Sequence, residues 1–134
     1  MWRQLYLILF KLYGSESILQ GRSRFFGPPS FLIDAGRSID FLRTNIPEIF
    51  NHISRSDILI VFHIKKTFYD PKNKICSVGK AYADSHDTGI SALLIHMYFT
   101  DLDHTTADRQ TEEMLKRHDF PFEIVDAFRE KVQG

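Results

Sequence analysis

The sequence lacks most of the motifs from which chemistry can be read in a single chain. Cys76 is its only cysteine, which excludes an intrachain disulfide and any zinc site built from cysteines alone. No P-loop, dinucleotide-binding glycine pattern, HExxH sequence or nucleophile elbow is present. We therefore expect no cofactor, and function has to be sought in less specific patterns.

Long hydrophobic runs are also missing. The amino-terminal run Leu5–Phe10 is followed at once by Lys11, whereas a membrane-spanning helix needs about 20 apolar residues. It also lacks the small-residue cleavage site that ends a secretory signal peptide. We interpret Gln4–Tyr13 as a first buried strand, and we expect a cytoplasmic protein with no membrane partner.

The net charge of the whole chain is zero, but its two parts carry opposite net charges. The chain of 134 residues carries 17 basic and 17 acidic side chains and is 43% hydrophobic, which is ordinary for one globular domain spanning residues 1–134. Residues 1–80 hold 12 Lys and Arg against 6 Asp and Glu, a net +6, and residues 81–134 hold 5 against 11, a net −6. Such a chain can present a basic surface to a polyanion, or the acidic excess can simply solvate carboxyl-terminal helices.

The order of the elements predicts an α+β fold. Glycine, serine and two prolines predict a long loop over Gly14–Ser30. Helical periodicity interrupted by Pro47 predicts one kinked helix or two short ones over Ile39–Ile53. A β-hairpin is predicted over Asp57–Ala83, and a further strand over Ile90–Phe99, where a helix is also compatible. Two helices follow, so we expect a small, mostly antiparallel curled sheet or open barrel with flanking helices.

Basic and aromatic residues occur together in two places. The loop GRSRFFG holds Arg22, Arg24, Phe25 and Phe26. Arginine contacts phosphate and aromatic rings stack on unpaired bases, although the two phenylalanines can equally fill the core. On the first hairpin strand, alternation places His63, Lys65, Thr67 and Tyr69 on one face. A polar face of this kind can be a solvated sheet face or a binding surface. The expected nucleic-acid-binding residues are Arg22, Arg24, Phe25, Phe26, Lys65, Lys66, Tyr69 and Trp2.

Two clusters of aspartate and histidine offer a different chemistry. Asp84, His86 and Asp87 precede the Ile90–Phe99 segment, and Asp101, Asp103 and His104 follow it. Carboxylates and imidazoles ligate divalent ions, so Asp84, His86, Asp101 and His104 are the alternative metal ligands. A strand between the clusters would separate them by about 33 Å, in which case each cluster is simply a turn.

The segment Ser56–Asp84 resembles the central hairpin of PUA-like domains of the EVE and ASCH type. The resemblance lies in Ser56-Asp57 before the apolar strand, in Val78-Gly79 before Lys80, and in an early tryptophan, Trp2, before the first strand. It departs from the family at Ser56, where glycine is usual. The resemblance implies a PUA-like fold that recognises nucleic acid or a modified base.

The leading prediction is therefore a non-catalytic module that binds nucleic acid, with RNA and modified bases as its candidate ligands. The first alternative is a small metal-assisted hydrolase or nuclease that uses the aspartate and histidine turns. The second alternative is a protein-interaction module whose acidic carboxyl-terminal helices contact a partner.

Overall fold

The computed structural model describes residues 16–20, 22–63, 66–102 and 105–126. The strands are β1 (Glu16–Gln20), β2 (Ser23–Gly27), β3 (Leu59–His63), β4 (Phe68–Asp70) and β5 (Ile75–Gly79). The helices are α1 (Pro29–Asn45), α2 (Pro47–Arg55), α3 (Lys80–Ala83), α4 (His86–Leu102) and α5 (Ala107–Arg117), with a further helical stretch at residues 122–126. The predicted first strand, Gln4–Tyr13, lies outside the described residues.

The strands form one open sheet in the order β1-β2-β3-β5-β4. The two outer pairs, β1 with β2 and β4 with β5, are antiparallel, and the three inner strands β2, β3 and β5 are parallel. The α+β class with flanking helices is confirmed. The expectation of a mostly antiparallel sheet is wrong, since half of the strand pairings are parallel.

The predicted hairpin over Asp57–Ala83 is the origin of that error. The strands β3 and β5 are neighbours, but they run in parallel, with Leu59 opposite Ile75 and His63 opposite Gly79. The hairpin is formed by β4 and β5, around a turn at residues 71–74. A nearly continuous apolar run such as Ile58–Phe62 is typical of a parallel strand buried on both faces, and that signal favours the observed pairing.

The predicted loop over Gly14–Ser30 is largely a hairpin. Strands β1 and β2 pair from Glu16 with Gly27 to Gln20 with Ser23, and α1 begins at Pro29. The Ser23 hydroxyl lies 2.5 Å from the Ile53 carbonyl oxygen, to which it donates, and it accepts from the Ile58 amide at 3.1 Å. This buried serine connects the start of β2 to the end of α2.

The segment Ile90–Phe99 is helical and belongs to α4. Residues 89–95 are all buried, because α4 packs against α1, α3 and α5 at once. A helix that is apolar on every side gives no amphipathic period. Its 17 residues are longer than an ordinary strand, and length is the signal that separates the two assignments.

The main core lies between the helices and one face of the sheet. Alternation places Phe25, Ile60 and Val78 on this face, where they join the buried side chains of α1, α2 and α4. On the other face a smaller buried cluster consists of Phe26, Leu59, Val61 and Ile75. Both faces of the inner strands are therefore apolar.

The periodic helices agree with the sequence. The helices α1 and α2 are separated at Ile46 by Pro47, and α5 buries Ala107, Thr111 and Leu115. Pro121 precedes the helical stretch 122–126, whose Ile124 and Val125 are buried. None of the helices in the described ranges is long and apolar enough to cross a membrane.

Candidate functional site

The candidate site is a crevice at the carboxyl ends of the three parallel strands. Strands β2, β3 and β5 end at Gly27, His63 and Gly79. The crevice has a volume of about 420 Å³ and is lined by Pro28, Ser30, Phe31, Asp34, Phe62, Lys80, Ala83, Asp84 and His86. In open sheets with parallel strands, ligands bind outside the carboxyl ends of the strands. We call it the carboxyl-edge crevice.

Glycines end two of the parallel strands at this edge, and each allows a close contact with a neighbouring segment. A Cβ atom on Gly27 would lie 2.6 Å from the Phe31 ring and 3.0 Å from the Phe62 Cβ. A Cβ atom on Gly79 would lie 2.3 Å from Thr67 Oγ1, which instead accepts a hydrogen bond from the Gly79 amide at 2.8 Å. The strands β2 and β5 thus each end in a glycine, and a helix begins within two residues of that glycine.

The amino terminus of α1 opens at the crevice. No side chain caps α1, whose first residue, Pro29, carries no N–H group. The amides of Ser30 and Phe31 therefore lack intrahelical acceptors, as do the first amides of any helix. Unpaired amides and the helix dipole favour an anionic group at this position.

His86 and Asp34 face each other across the crevice, 52 residues apart in the chain. His86 Nδ1 lies 3.3 Å from Asp34 Oδ2, and the Asp34 carboxylate is also 3.9 Å from the Arg37 guanidinium. The Asp34 side chain is 13% exposed and the His86 side chain 74% exposed. His86 also has a φ of +56°, a left-handed conformation that non-glycine residues adopt mainly where the surroundings impose it.

Lys80 and Asp84 form the second charged pair of the crevice. Lys80 Nζ lies 2.7 Å from Asp84 Oδ2, one helical turn apart, and both side chains are more than half exposed. Such a pair is worth at most about 1 kcal/mol, so Lys80 can exchange its partner for a ligand at little cost. The apolar wall opposite is formed by Phe31 and Phe62, whose ring centroids are 5.7 Å apart.

A second, smaller crevice lies at the opposite edge of the parallel strands. Its volume is about 250 Å³, and it is lined by His52, Ser56, Ile58, Tyr69, Pro71, Lys74 and Asp101. The Asp101 carboxylate lies 2.7 Å from His52 Nε2 through one oxygen and accepts from the Tyr69 hydroxyl at 2.7 Å through the other. These contacts join α2, α4 and β4, and both oxygens of Asp101 are occupied.

Tyr69 is held as a neutral hydrogen-bond donor in this cluster. Burial is the main cause that raises the pKa of its phenol, and the hydrogen bond to Asp101 raises the pKa further. Because the Tyr69 hydroxyl keeps its proton, it can hold the Asp101 carboxylate at the end of α4 through their hydrogen bond. The arrangement therefore stabilises the packing of the three elements.

The residues predicted to bind nucleic acid do not form one surface. Arg22 and Arg24 are exposed, but Phe25 is 0% and Phe26 4% exposed. The two rings belong to the cores on opposite faces of the sheet. Neither ring can stack on a base in the folded protein, so the expected stacking platform in this segment is corrected to a core-filling role.

The remaining predicted residues are divided between regions. Lys66 is exposed, and its carbonyl oxygen accepts a hydrogen bond from Ser77. Tyr69 lies opposite Cys76, on the helix-covered face, whereas His63 lies opposite Gly79, on the other face. The expected shared face of His63 and Tyr69 is therefore wrong, because β3 ends at His63 and the alternation does not continue into β4. Lys65 and Trp2 are outside the described residues.

The alternative metal ligands are also separated. Asp84 and His86 lie at the amino end of α4 and Asp101 lies at its carboxyl end, about 22 Å away at 1.5 Å per residue. Asp101 is engaged by His52 and Tyr69, and His104 lies outside the described residues. In the part of the chain that the structure describes, no three His, Cys, Asp or Glu side chains are placed to hold a metal ion.

The fold and the crevice define a class of protein: an α+β domain with an open mixed sheet and a polar crevice at the carboxyl ends of its parallel strands. No protein-family model, curated protein or solved structure matches this chain. The function therefore has to be argued from the crevice itself.

Sequence reasoning missed the crevice because it missed the parallel strands. The sequence patterns do not point to Asp34 or Ser30 as site residues, and they point to Lys80 only through the resemblance to the PUA-like hairpin. The signal that points to them is a repeated pattern, an apolar strand ending in glycine and followed by a helix start, at Gly27 and again at Gly79. Two such units in one sheet are typical of parallel strands whose carboxyl ends share one edge.

Proposed function

We propose that this domain binds a nucleotide-sized, phosphorylated ligand in the carboxyl-edge crevice. The observation that carries the proposal is the position of the crevice, where three parallel strands end and α1 begins. Its volume of about 420 Å³ lies within the range of small-molecule sites. The proposed ligand is a single nucleotide unit, which is narrower than the nucleic-acid recognition that the sequence predicts.

The chemistry of the walls supports a ligand with a phosphate and a ring. The amides of Ser30 and Phe31 and the ammonium of Lys80 supply donors for a phosphate oxygen. Phe62 is half-buried at the apolar wall, where it can contact a base or another planar group. Asp34 supplies a carboxylate acceptor for a ribose hydroxyl.

The test is the replacement of Lys80 by alanine. Adenosine, guanosine, cytidine and uridine monophosphates, their nucleosides and inorganic phosphate would be titrated while amide resonances are followed by NMR. We expect shifts that concentrate around residues 27–31 and 80–86 for the phosphorylated ligands. We also expect Lys80→Ala to weaken binding at least about tenfold, which is about 1.4 kcal/mol.

Lys72→Ala is the matched control for that measurement. Lys72 is exposed in the turn between β4 and β5, at the edge of the sheet opposite the crevice. Its replacement should leave the affinity unchanged, and Lys80→Ala should not lower stability, since it removes only an exposed pair. Equal affinities for the two variants, or no shift in crevice residues with any phosphorylated ligand, would reject the proposal.

Binding of a polynucleotide is a second proposal, favoured by one observation. Arg22 and Arg24 are exposed, and neither guanidinium has an ion-pair partner among the described residues. Two exposed arginines two residues apart in the chain are suited to neighbouring phosphates. The likeness to PUA-like domains stays a prediction, and neither proposal depends on it.

Oligonucleotide binding across a salt series tests this second proposal. The double variant Arg22→Ala, Arg24→Ala should weaken binding and lower the steepness of the salt dependence by about 1–2 units on a logarithmic plot. Arg109→Ala with Arg117→Ala, two exposed arginines of α5, is the matched control. Absent or salt-independent binding by the unaltered protein would overturn it.

A further inference from the structure

The His86 imidazole is arranged as a proton acceptor in the crevice. Its Nδ1 faces Asp34 Oδ2 at 3.3 Å, and an imidazole that donates Nδ1–H to a carboxylate presents an unprotonated Nε2. In the described part of the chain Nε2 has no hydrogen-bond partner, and the side chain is 74% exposed at the crevice rim. A substrate or water molecule in the crevice can therefore reach it.

Asp34 is placed to orient this ring. It lies on α1 with its side chain 13% exposed, so its carboxylate is fixed by the body of the helix. The buried hydroxyls of Ser38 and Ser91, 2.5 Å apart, join α1 to α4 one turn further on. The Gly89 backbone meets the Tyr82 carbonyl so closely that a Cβ atom there would lie 1.9 Å from its oxygen. These contacts hold His86 opposite Asp34.

We propose that His86 acts as the general base in the hydrolysis of a phosphodiester bound in the crevice. This activity rests on the binding proposed above. In this step a water molecule gives a proton to His86 Nε2 while its oxygen forms a bond to phosphorus. The ester P–O bond breaks, and its electron pair leaves with the alcohol oxygen as an anion. His86 then returns its proton to solvent, so that the enzyme is unchanged.

The charges around the crevice select the substrate class. Besides His86, the ionisable groups at the crevice are Lys80 and Asp84 after β5 and Asp34 with Arg37 on α1. The Asp34 and Asp84 carboxylates are balanced by the Arg37 guanidinium and the Lys80 ammonium, so the crevice has no net positive charge that would favour a dianionic monoester over a singly charged diester. The aromatic wall at Phe62 takes a planar ester group. We therefore expect diesters to be hydrolysed faster than monoesters.

The experiment uses bis(4-nitrophenyl) phosphate as substrate and 4-nitrophenyl phosphate as the monoester comparison. This step uses no metal ion, so EDTA can be present to suppress contaminating metal-dependent phosphodiesterases. We expect the unaltered chain to release nitrophenolate from the diester, and His86→Gly to lower kcat at least about 100-fold. Glycine is the chosen replacement because it adopts the φ of +56° found at this position without strain.

Added imidazole separates a catalytic from a structural role for His86. A base supplied from solution should restore a measurable part of the activity of His86→Gly and should leave the unaltered protein unchanged. Asp34→Asn should lower kcat with little change in KM, because Asp34 is a positioning residue. The double variant should be no slower than His86→Gly alone, since both residues act in one step.

The outcomes separate this inference from the proposed binding. If nucleotides shift the crevice resonances but the diester is not hydrolysed, or imidazole fails to restore His86→Gly, the general base is rejected and the binding stands. If nothing binds in the crevice, both proposals fail. Hydrolysis that is lost in His86→Gly and returns with imidazole establishes the base.

Discussion

Phe25→Ala is expected to lower the free energy of unfolding by about 3–5 kcal/mol. The Phe25 side chain is 0% exposed and lies on β2, in the core between the sheet and the helices. Its truncation removes a buried ring and leaves a cavity. Small domains are stable by only about 5–15 kcal/mol, so the loss is a large fraction of the total. Urea unfolding followed by circular dichroism measures it.

Phe68→Ala is the matched control for this substitution. Phe68 lies on the edge strand β4 and is 39% exposed, so its truncation should cost about 1 kcal/mol or less. The pair also decides the role of the segment GRSRFFG. If Phe25→Ala unfolds like the unaltered protein but loses oligonucleotide binding, Phe25 is a stacking residue and the buried placement is contradicted.

Gly89→Ala is expected to destabilise the protein by about 3 kcal/mol or more, at the upper end of overpacking effects. The new Cβ atom would lie 1.9 Å from the Tyr82 carbonyl oxygen, and the atom that must yield belongs to the backbone of α3. A shift of α3 moves Lys80 relative to α1. We therefore expect nucleotide binding in the crevice to weaken in the fraction that stays folded.

Gly36→Ala provides the comparison at a second helical glycine. Apart from the backbone of its own helix, no heavy atom of the described residues lies within 4 Å of the position that a Cβ would take on Gly36, within α1. Alanine in a helix interior is favoured over glycine by about 0.5–1 kcal/mol, so this variant should be more stable than the unaltered protein. Thermal unfolding of both variants measures the difference in stability between them. Equal midpoints would contradict the close contact between Gly89 and the Tyr82 carbonyl oxygen.

The helices with one apolar face could be predicted from the sequence alone. The periodic stripe from Ile39 to Ile53, broken at Pro47, corresponds to the carboxyl-terminal part of α1 and to α2, whereas the start of α1 at Pro29 was not predicted. The face of Ala107, Thr111 and Leu115 corresponds to α5. In these segments the side-chain pattern depends on local geometry and burial on one side. The order of the predicted elements likewise indicated the α+β class, since both periodic and continuous apolar segments are present.

Strand partners were decided by tertiary structure. The apolar run of β3 and the shorter run of β5 are compatible with a hairpin or with parallel neighbours, and the sequence between them contains a turn that suits the hairpin. The observed arrangement inserts β4 at the edge, so that β3 pairs with β5 in parallel. Pairing depends on which strand faces are buried by the helices, and local propensity does not contain that information.

The candidate site likewise depends in part on the sequence alone and in part on the tertiary structure. The sequence by itself determined which residue types are available for chemistry, among them His86, Asp84 and Asp101, but it gave no sign of Asp34. Only the tertiary structure decided which of them meet. It placed Asp34 beside His86 across 52 residues and placed Asp101 at the far end of α4 with His52 and Tyr69. The physical reason is that contacts between distant segments follow from how helices pack on the sheet, whereas periodicity reports only on each segment's own buried face.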